Sequence, residues 1–112
     1  MRDEYNSEKI YTIDEIKNIS YEVFKHYPTI KEAYLFGSYA RNEQTKESDL
    51  DFMIVLDQYD VESLKDELRV EDDLMTILNK KVDTLNERTA MKIMPKSIER
   101  DKVLIYERKN QN

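Results

Sequence analysis

The stretch LDFMIVL, residues 50–56, constrains the fold more than any other part of the chain. Successive side chains of a strand point to opposite faces. Leu50, Phe52, Ile54 and Leu56 then share one face, and Asp49, Asp51, Met53 and Val55 share the other. A run that is mostly apolar on both faces belongs inside a sheet, not at its edge. The remaining elements have to supply its neighbours and its covers.

Those elements are readable from spacing. Thr12 followed three residues later by Glu15 has the form of a capping box. Ile13, Ile16, Ile19, Val23, Phe24 and Tyr27 recur at three- and four-residue intervals, which predicts an amphipathic helix ending before Pro28. Residues 32–36, EAYLF, read as a short strand running into Gly37. Residues 38–43 read as a short helix, followed by a polar loop. A helix is expected over 61–79, with Val61, Leu64, Leu68, Met75 and Leu78 on its buried stripe. KVDTLN, 81–86, reads as a strand, and 88–100 as helix interrupted by Pro95. KVLIYE, 102–107, is the last strand, while 1–11 and 108–112 read as loose ends. The alternation predicts one α/β (α+β) domain over 1–112, a small mixed central sheet flanked by helices.

Composition removes several classes of function. The chain has 112 residues and no Cys, which excludes disulfides and Cys-based metal sites. Its one His excludes multi-His zinc sites. No apolar run approaches a membrane span, and the charged N-terminus does not resemble a signal peptide, so the expected compartment is the cytoplasm. The net charge is −6. All of it sits between Asp57 and Asp73, where Asp57, Asp60, Glu62, Asp66, Glu67, Glu71, Asp72 and Asp73 face only Lys65 and Arg69. This segment is either a solvated helix face or a surface for a basic protein partner. Little here attracts nucleic-acid phosphates, so no direct nucleic-acid binding is expected.

Three features carry chemistry. Gly37-Ser38 stands where a strand turns into a helix, a place where unpaired N–H groups bind phosphate and glycine permits close approach. Taken alone, the pair reads more simply as a turn with a Ser cap. Asp49 and Asp51 project to one face, and such close carboxylates repel unless a cation sits between them. Mg²⁺ suits them, and a solvent-facing loop suits them equally. Asp83 lies among strand-like residues. It either points to solvent from an edge strand or lines up beside Asp49 and Asp51 to give three carboxylates on one pocket, where an acid near metals can help deprotonate a hydroxyl.

GSYARNEQTKESDLD has the form Gly-Ser, ten residues, Asp-x-Asp. It resembles the signature of the DNA polymerase β-like nucleotidyltransferases, in particular the minimal nucleotidyltransferases that act as MntA-type antitoxins of HEPN-domain toxins. Ala40, Arg41 and Ser48 also fit the family's GSxAR…SDxD pattern. Asn42 stands where many relatives have Gly, and Asn tolerates left-handed dihedrals.

The resemblance implies a polymerase β-like fold and roles for specific residues. Gly37 and Ser38 would hold the phosphates of ATP, with Arg41 and Ser48 also at the nucleotide. Arg41 could equally pair with Glu43 or another surface acid. Asp49, Asp51 and Asp83 would hold two Mg²⁺ ions, with Asp83 helping to activate the nucleophile. The implied activity is transfer of AMP to a tyrosine hydroxyl of a cognate HEPN ribonuclease toxin, which is thereby neutralised. The alternatives are a non-catalytic antitoxin that acts by binding, and an aminoglycoside-type nucleotidyltransferase.

Overall fold

A computed structural model describes residues 7–109. Four strands form one sheet in the order β3-β2-β1-β4. They are β1 (Ile30–Phe36), β2 (Leu50–Leu56), β3 (Val82–Asn86) and β4 (Val103–Glu107). β1 runs antiparallel to β2 and to β4, whereas β2 and β3 are parallel. The sheet is therefore mixed, as expected, and the LDFMIVL strand lies inside it.

Two layers of helix cover the sheet. On one face α1 (Ile13–Phe24) and α2 (Val61–Leu78) bury Ile16, Phe24, Leu74 and Leu78 against Leu50, Phe52, Ile54 and Leu56. On the other face α3 (Glu87–Ile93) and α4 (Pro95–Asp101) bury Ala90 and Ile98 against Phe36, Met53 and Val55. The two faces of β2 thus meet different helix pairs, which is why its apolar residues do not alternate with polar ones.

Helix ends follow local chemistry. The Thr12 hydroxyl accepts from the Glu15 N–H, and the Glu15 carboxylate accepts from the Thr12 N–H, so the capping box at α1 is complete. α2 is capped by Asp60 and ends at Asn79, whose φ of 53° is left-handed. Pro95 opens α4 at a position where its missing N–H costs nothing, which splits the 88–100 segment into two helices.

Three expectations change. Residues 38–43 form no helix but a single turn. The Glu43 N–H donates to the Ser38 carbonyl (2.9 Å) and the Asn42 N–H to the Tyr39 carbonyl (3.2 Å), with Asn42 at φ 60°. This is a Schellman closure, and it stops the helix after one turn. On α2, Met75 and Leu78 are buried as expected, but Val61, Leu64 and Leu68 are 68%, 39% and 67% exposed, and Ser63, Val70 and Leu74 are buried instead.

Residues 7–11 and 108–109 are also better anchored than their composition suggests. Tyr11 is buried, and its hydroxyl donates to the Leu78 carbonyl at 2.7 Å. The Arg108 N–H donates to Lys31, and its guanidinium pairs with Asp57. Residues 1–6 and 110–112 lie outside the described residues. Tyr11→Phe is expected to cost about 1 kcal/mol, read as a lower urea midpoint with an unchanged slope.

The acidic segment is knitted into the fold. Seven of its eight acids hold a hydrogen bond or ion pair within the molecule. Glu71 is the clearest case. Its Oε1 accepts from the Thr84 N–H at 3.0 Å and from the Thr84 hydroxyl at 2.8 Å, on the outer side of the edge strand β3.

Candidate functional site

The strand register assembles the site. Phe36 of β1 pairs with Asp51 of β2, and Asp51 pairs with Asp83 of β3. Asp51 and Asp83 therefore stand side by side on the face covered by α3 and α4. Asp49 precedes Asp51 by two residues along the chain, on the loop entering β2. Asp51 is partly buried, Asp49 is intermediate, and Asp83 is exposed on its edge strand.

Electrostatics tie the three acids together. Burial, then the charges of Asp83 and Asp49, push the Asp51 carboxyl up to about 6. Desolvation and like charge both disfavour its ionised form. Asp49 has a partial counter-charge in Lys81, whose Nζ lies 3.9 Å from Oδ2.

Gly37 touches this shelf directly. Its φ is +78°, which L side chains rarely adopt, and a Cβ placed on it would lie 2.5 Å from Asp51 Oδ2. The chain's one glycine thus has two structural reasons, a dihedral and a neighbour. Beyond it, no acceptor among the described residues takes the N–H groups of Ser38, Tyr39 or Ala40. The Arg41 N–H closes back on the Gly37 carbonyl at 3.1 Å.

Arg41 and Ser48 already have partners. Arg41 Nε donates to Glu43 at 3.0 Å, and Nη1 donates to Asp101 at 2.7 Å. Ser48 Oγ accepts from the Thr45 N–H at 2.9 Å, which shapes the turn leading to Asp49.

Residues not singled out by spacing support the same region. Lys80 is buried and donates to the Lys46 carbonyl at 2.7 Å, pinning the loop ahead of Asp49; burial lowers its pKa. Asp101 is buried in the last turn of α4, between Arg41 and Arg100. The Arg100 hydrogen bond, with Arg41 adding to it, pulls the Asp101 carboxyl down to about 2. One signal could have found Asp101, because an acid in a helix's last turn opposes the helix dipole. Nothing in the Lys80-Lys81 pair marks Lys80 as the buried member.

The donor set suits Mg²⁺. Asp51 and Asp83 stand side by side with Asp49 two residues before Asp51, and burial together with its neighbours' charge disfavours the ionised Asp51, a state that a divalent cation relieves. Among the described residues no group of three acidic or imidazole side chains forms a ready-made cage. Mg²⁺ is usually held by one or two carboxylates together with water and substrate phosphates, so an open shelf fits it.

Comparison with known proteins gives the lineage. The family described as "Polymerase beta, Nucleotidyltransferase" matches residues 17–111. Two proteins of Methanocaldococcus jannaschii, each named "Putative protein adenylyltransferase", are 40% and 41% identical over 102 residues. Both alignments span 85% of this chain and 97% of the relative.

Solved structures share the fold. A "putative minimal nucleotidyltransferase" superposes with a TM-score of 0.67 at 22% identity, covering 83% of this chain and 95% of that one. A toxin–antitoxin crystal structure with AMP-PNP gives 0.67 at 20% identity, covering 83% and 74%. An MNT antitoxin complex with a tri-AMPylated HEPN toxin from Shewanella oneidensis gives 0.63 at 17% identity, covering 87% and 74%. A family match over most of the chain, near-complete alignment to relatives at about 40% identity and the shared fold lead to one conclusion: this chain belongs to the polymerase β-type nucleotidyltransferases and is a transferase of that class.

Proposed function

We propose that the protein transfers AMP from ATP to a tyrosine hydroxyl of a HEPN-domain toxin and so acts as its antitoxin in the cytoplasm. The observation that carries this reading is the side-by-side register of Asp51 and Asp83, with Gly37 pressed against Asp51. Relatives named for protein adenylylation and a neighbouring fold seen with an AMPylated toxin support the choice of acceptor.

In this reading Gly37 and Ser38 cradle the phosphates with free backbone N–H groups. Arg41 reaches them from the same turn, and Ser48 shapes the approach to Asp49. Asp49, Asp51 and Asp83 would hold two Mg²⁺ ions, which would offset the charge developing on the phosphates. Asp83, the exposed member, accepts the proton of the attacking hydroxyl. The hydroxyl oxygen bonds to the α-phosphorus, the bond from that phosphorus to the bridging oxygen breaks, and pyrophosphate leaves with the electron pair.

The test uses ATP labelled at the α-phosphate, Mg²⁺ and the product of the adjacent gene. Label is expected on a tyrosine of that partner, and it should disappear with Asp49→Asn. Partner inhibition that persists in Asp49→Asn, with no label in either reaction, would sink the transfer reading in favour of neutralisation by contact.

A further inference from the structure

Arg41 and Arg100 reach one carboxylate from distant parts of the chain. Arg41 comes from the turn after β1, and Arg100 from the last turn of α4. Arg41 Nη1 donates to Asp101 Oδ2 at 2.7 Å. Arg100 Nε donates to Oδ1 at 2.7 Å, and its Nη2 donates to Oδ2 at 3.1 Å. The two guanidinium groups therefore share Oδ2.

Burial differs sharply within this cluster. The Asp101 side chain is 3% exposed, while those of Arg41 and Arg100 are 37% and 66% exposed. The anion is an internal anchor, and the cations stand on its outer side. One carboxylate offsets one of the two positive charges. Glu43 also meets Arg41, but an ion pair with a carboxylate this exposed is weak and screened by salt. Two guanidinium groups thus stand on one buried carboxylate, in a protein whose net charge is −6.

The cluster adjoins the carboxylate shelf through the 37–41 turn, because the Arg41 N–H donates to the Gly37 carbonyl at 3.1 Å and a Cβ on Gly37 would lie 2.5 Å from Asp51 Oδ2. An arginine held in a bidentate grip keeps its planar fork oriented. The grip uses the Nε–Nη2 edge of Arg100, and the other edge of the guanidinium, through Nη1, is the one that matches phosphate oxygens.

We propose that Arg100 is a second phosphate-binding arm beside Arg41, with both held by the buried Asp101 to receive the polyphosphate tail of the nucleoside triphosphate. The inference rests on the nucleotidyl-transfer reading above. With the α-phosphorus at the carboxylates, the rest of the tail lies toward the 37–41 turn, and that turn carries Arg41. Asp101 is a positioning residue, and Arg100 touches the substrate.

The test is equilibrium binding of ATP and of AMP, each with Mg²⁺, to the full chain without partner. Arg100→Gln is compared with Arg69→Gln, since Arg69 also sits between two carboxylates, Glu62 and Asp66, but on α2. Arg100→Gln is expected to weaken ATP binding about tenfold, to leave AMP binding unchanged and to flatten the salt dependence for ATP. Arg100→Lys, which keeps the charge without the fork, should fall between. Arg69→Gln should change neither ligand. Wild-type ATP affinity in Arg100→Gln overturns the inference, as does an equal loss of ATP and AMP or a wild-type protein that binds no ATP. Label on the partner tests transfer separately. A partner labelled by Arg100→Gln at wild-type ATP affinity overturns only the inference, and Arg100-dependent ATP binding without any label overturns only the transfer.

Discussion

Asp51→Asn is expected to abolish nucleotidyl transfer and, at the same time, to make the metal-free protein more stable at neutral pH. The carboxyl is pushed up to about 6 by burial and by Asp83 and Asp49. The folded state therefore holds its proton more tightly than the unfolded chain does. That contribution is complete below the ordinary value of 3.8 and is lost as pH rises through about 6. At pH 7 the wild type carries the full cost of ionising Asp51, on the order of 1–3 kcal/mol for a partly buried group. The amide removes this cost, so the variant should melt about 5 °C or more above the wild type at pH 7. The gap should close below about pH 4, where both side chains are neutral. Added Mg²⁺ with ATP should raise the melting temperature of the wild type and not that of the variant. Scanning calorimetry across this pH range decides it, and equal melting temperatures above pH 6 would remove the repulsion as an explanation.

Gly37→Val is expected to do damage of a different kind, losing both transfer and stability. The dihedral of +78° disfavours any residue with a Cβ, and β-branching makes it worse. The added carbon would meet Asp51 Oδ2 at 2.5 Å and push aside the carboxylate that the reaction needs. Loss of about 2–4 kcal/mol is expected in urea unfolding, so the substitution does not leave the fold intact. Gly37→Ala measured in wild type and in Asp51→Ala separates the two causes. The penalty should shrink once the carboxylate is gone, and an equal penalty in both backgrounds would leave the dihedral as the whole explanation.

Strands and capped helices were legible because their signals are local. The two-sided run at 50–56, the Thr12–Glu15 box and Pro95 each state a boundary within a few residues. The first half of the α2 stripe turns outward for a physical reason, while Met75 and Leu78 are buried. Glu67 and Glu71 bond Asn86 and Thr84 along the sheet's edge, so polar residues border the buried side while Val61, Leu64 and Leu68 turn outward. A periodicity that sends every glutamate to solvent rotates the buried stripe toward those three residues. Asn42 ended the 38–43 helix by adopting φ 60°, a conformation Asn permits but does not announce. The Gly-Ser and Asp-x-Asp residues stood out through the family resemblance, since spacing alone left a capped turn and a solvent-facing loop open. Their contact was not legible, because the closeness of Gly37 to Asp51 depends on how β1 pairs with β2. Asp101 was hidden more deeply, since its partner Arg41 lies 60 residues away.

The parallel pairing of β2 and β3 has a consequence for the order in which the molecule is built. Antiparallel neighbours can meet through a short turn, but parallel strands need a crossover, and here the crossover is α2. Asp51 and Asp83 become neighbours only after that helix has closed a long excursion against the sheet, an entropically late event. Until then Asp83 stays apart from Asp49 and Asp51, without its share of the repulsion. The cost of the clustered charge thus arises only with that closure, when the apolar contacts of α2 are in place to offset it.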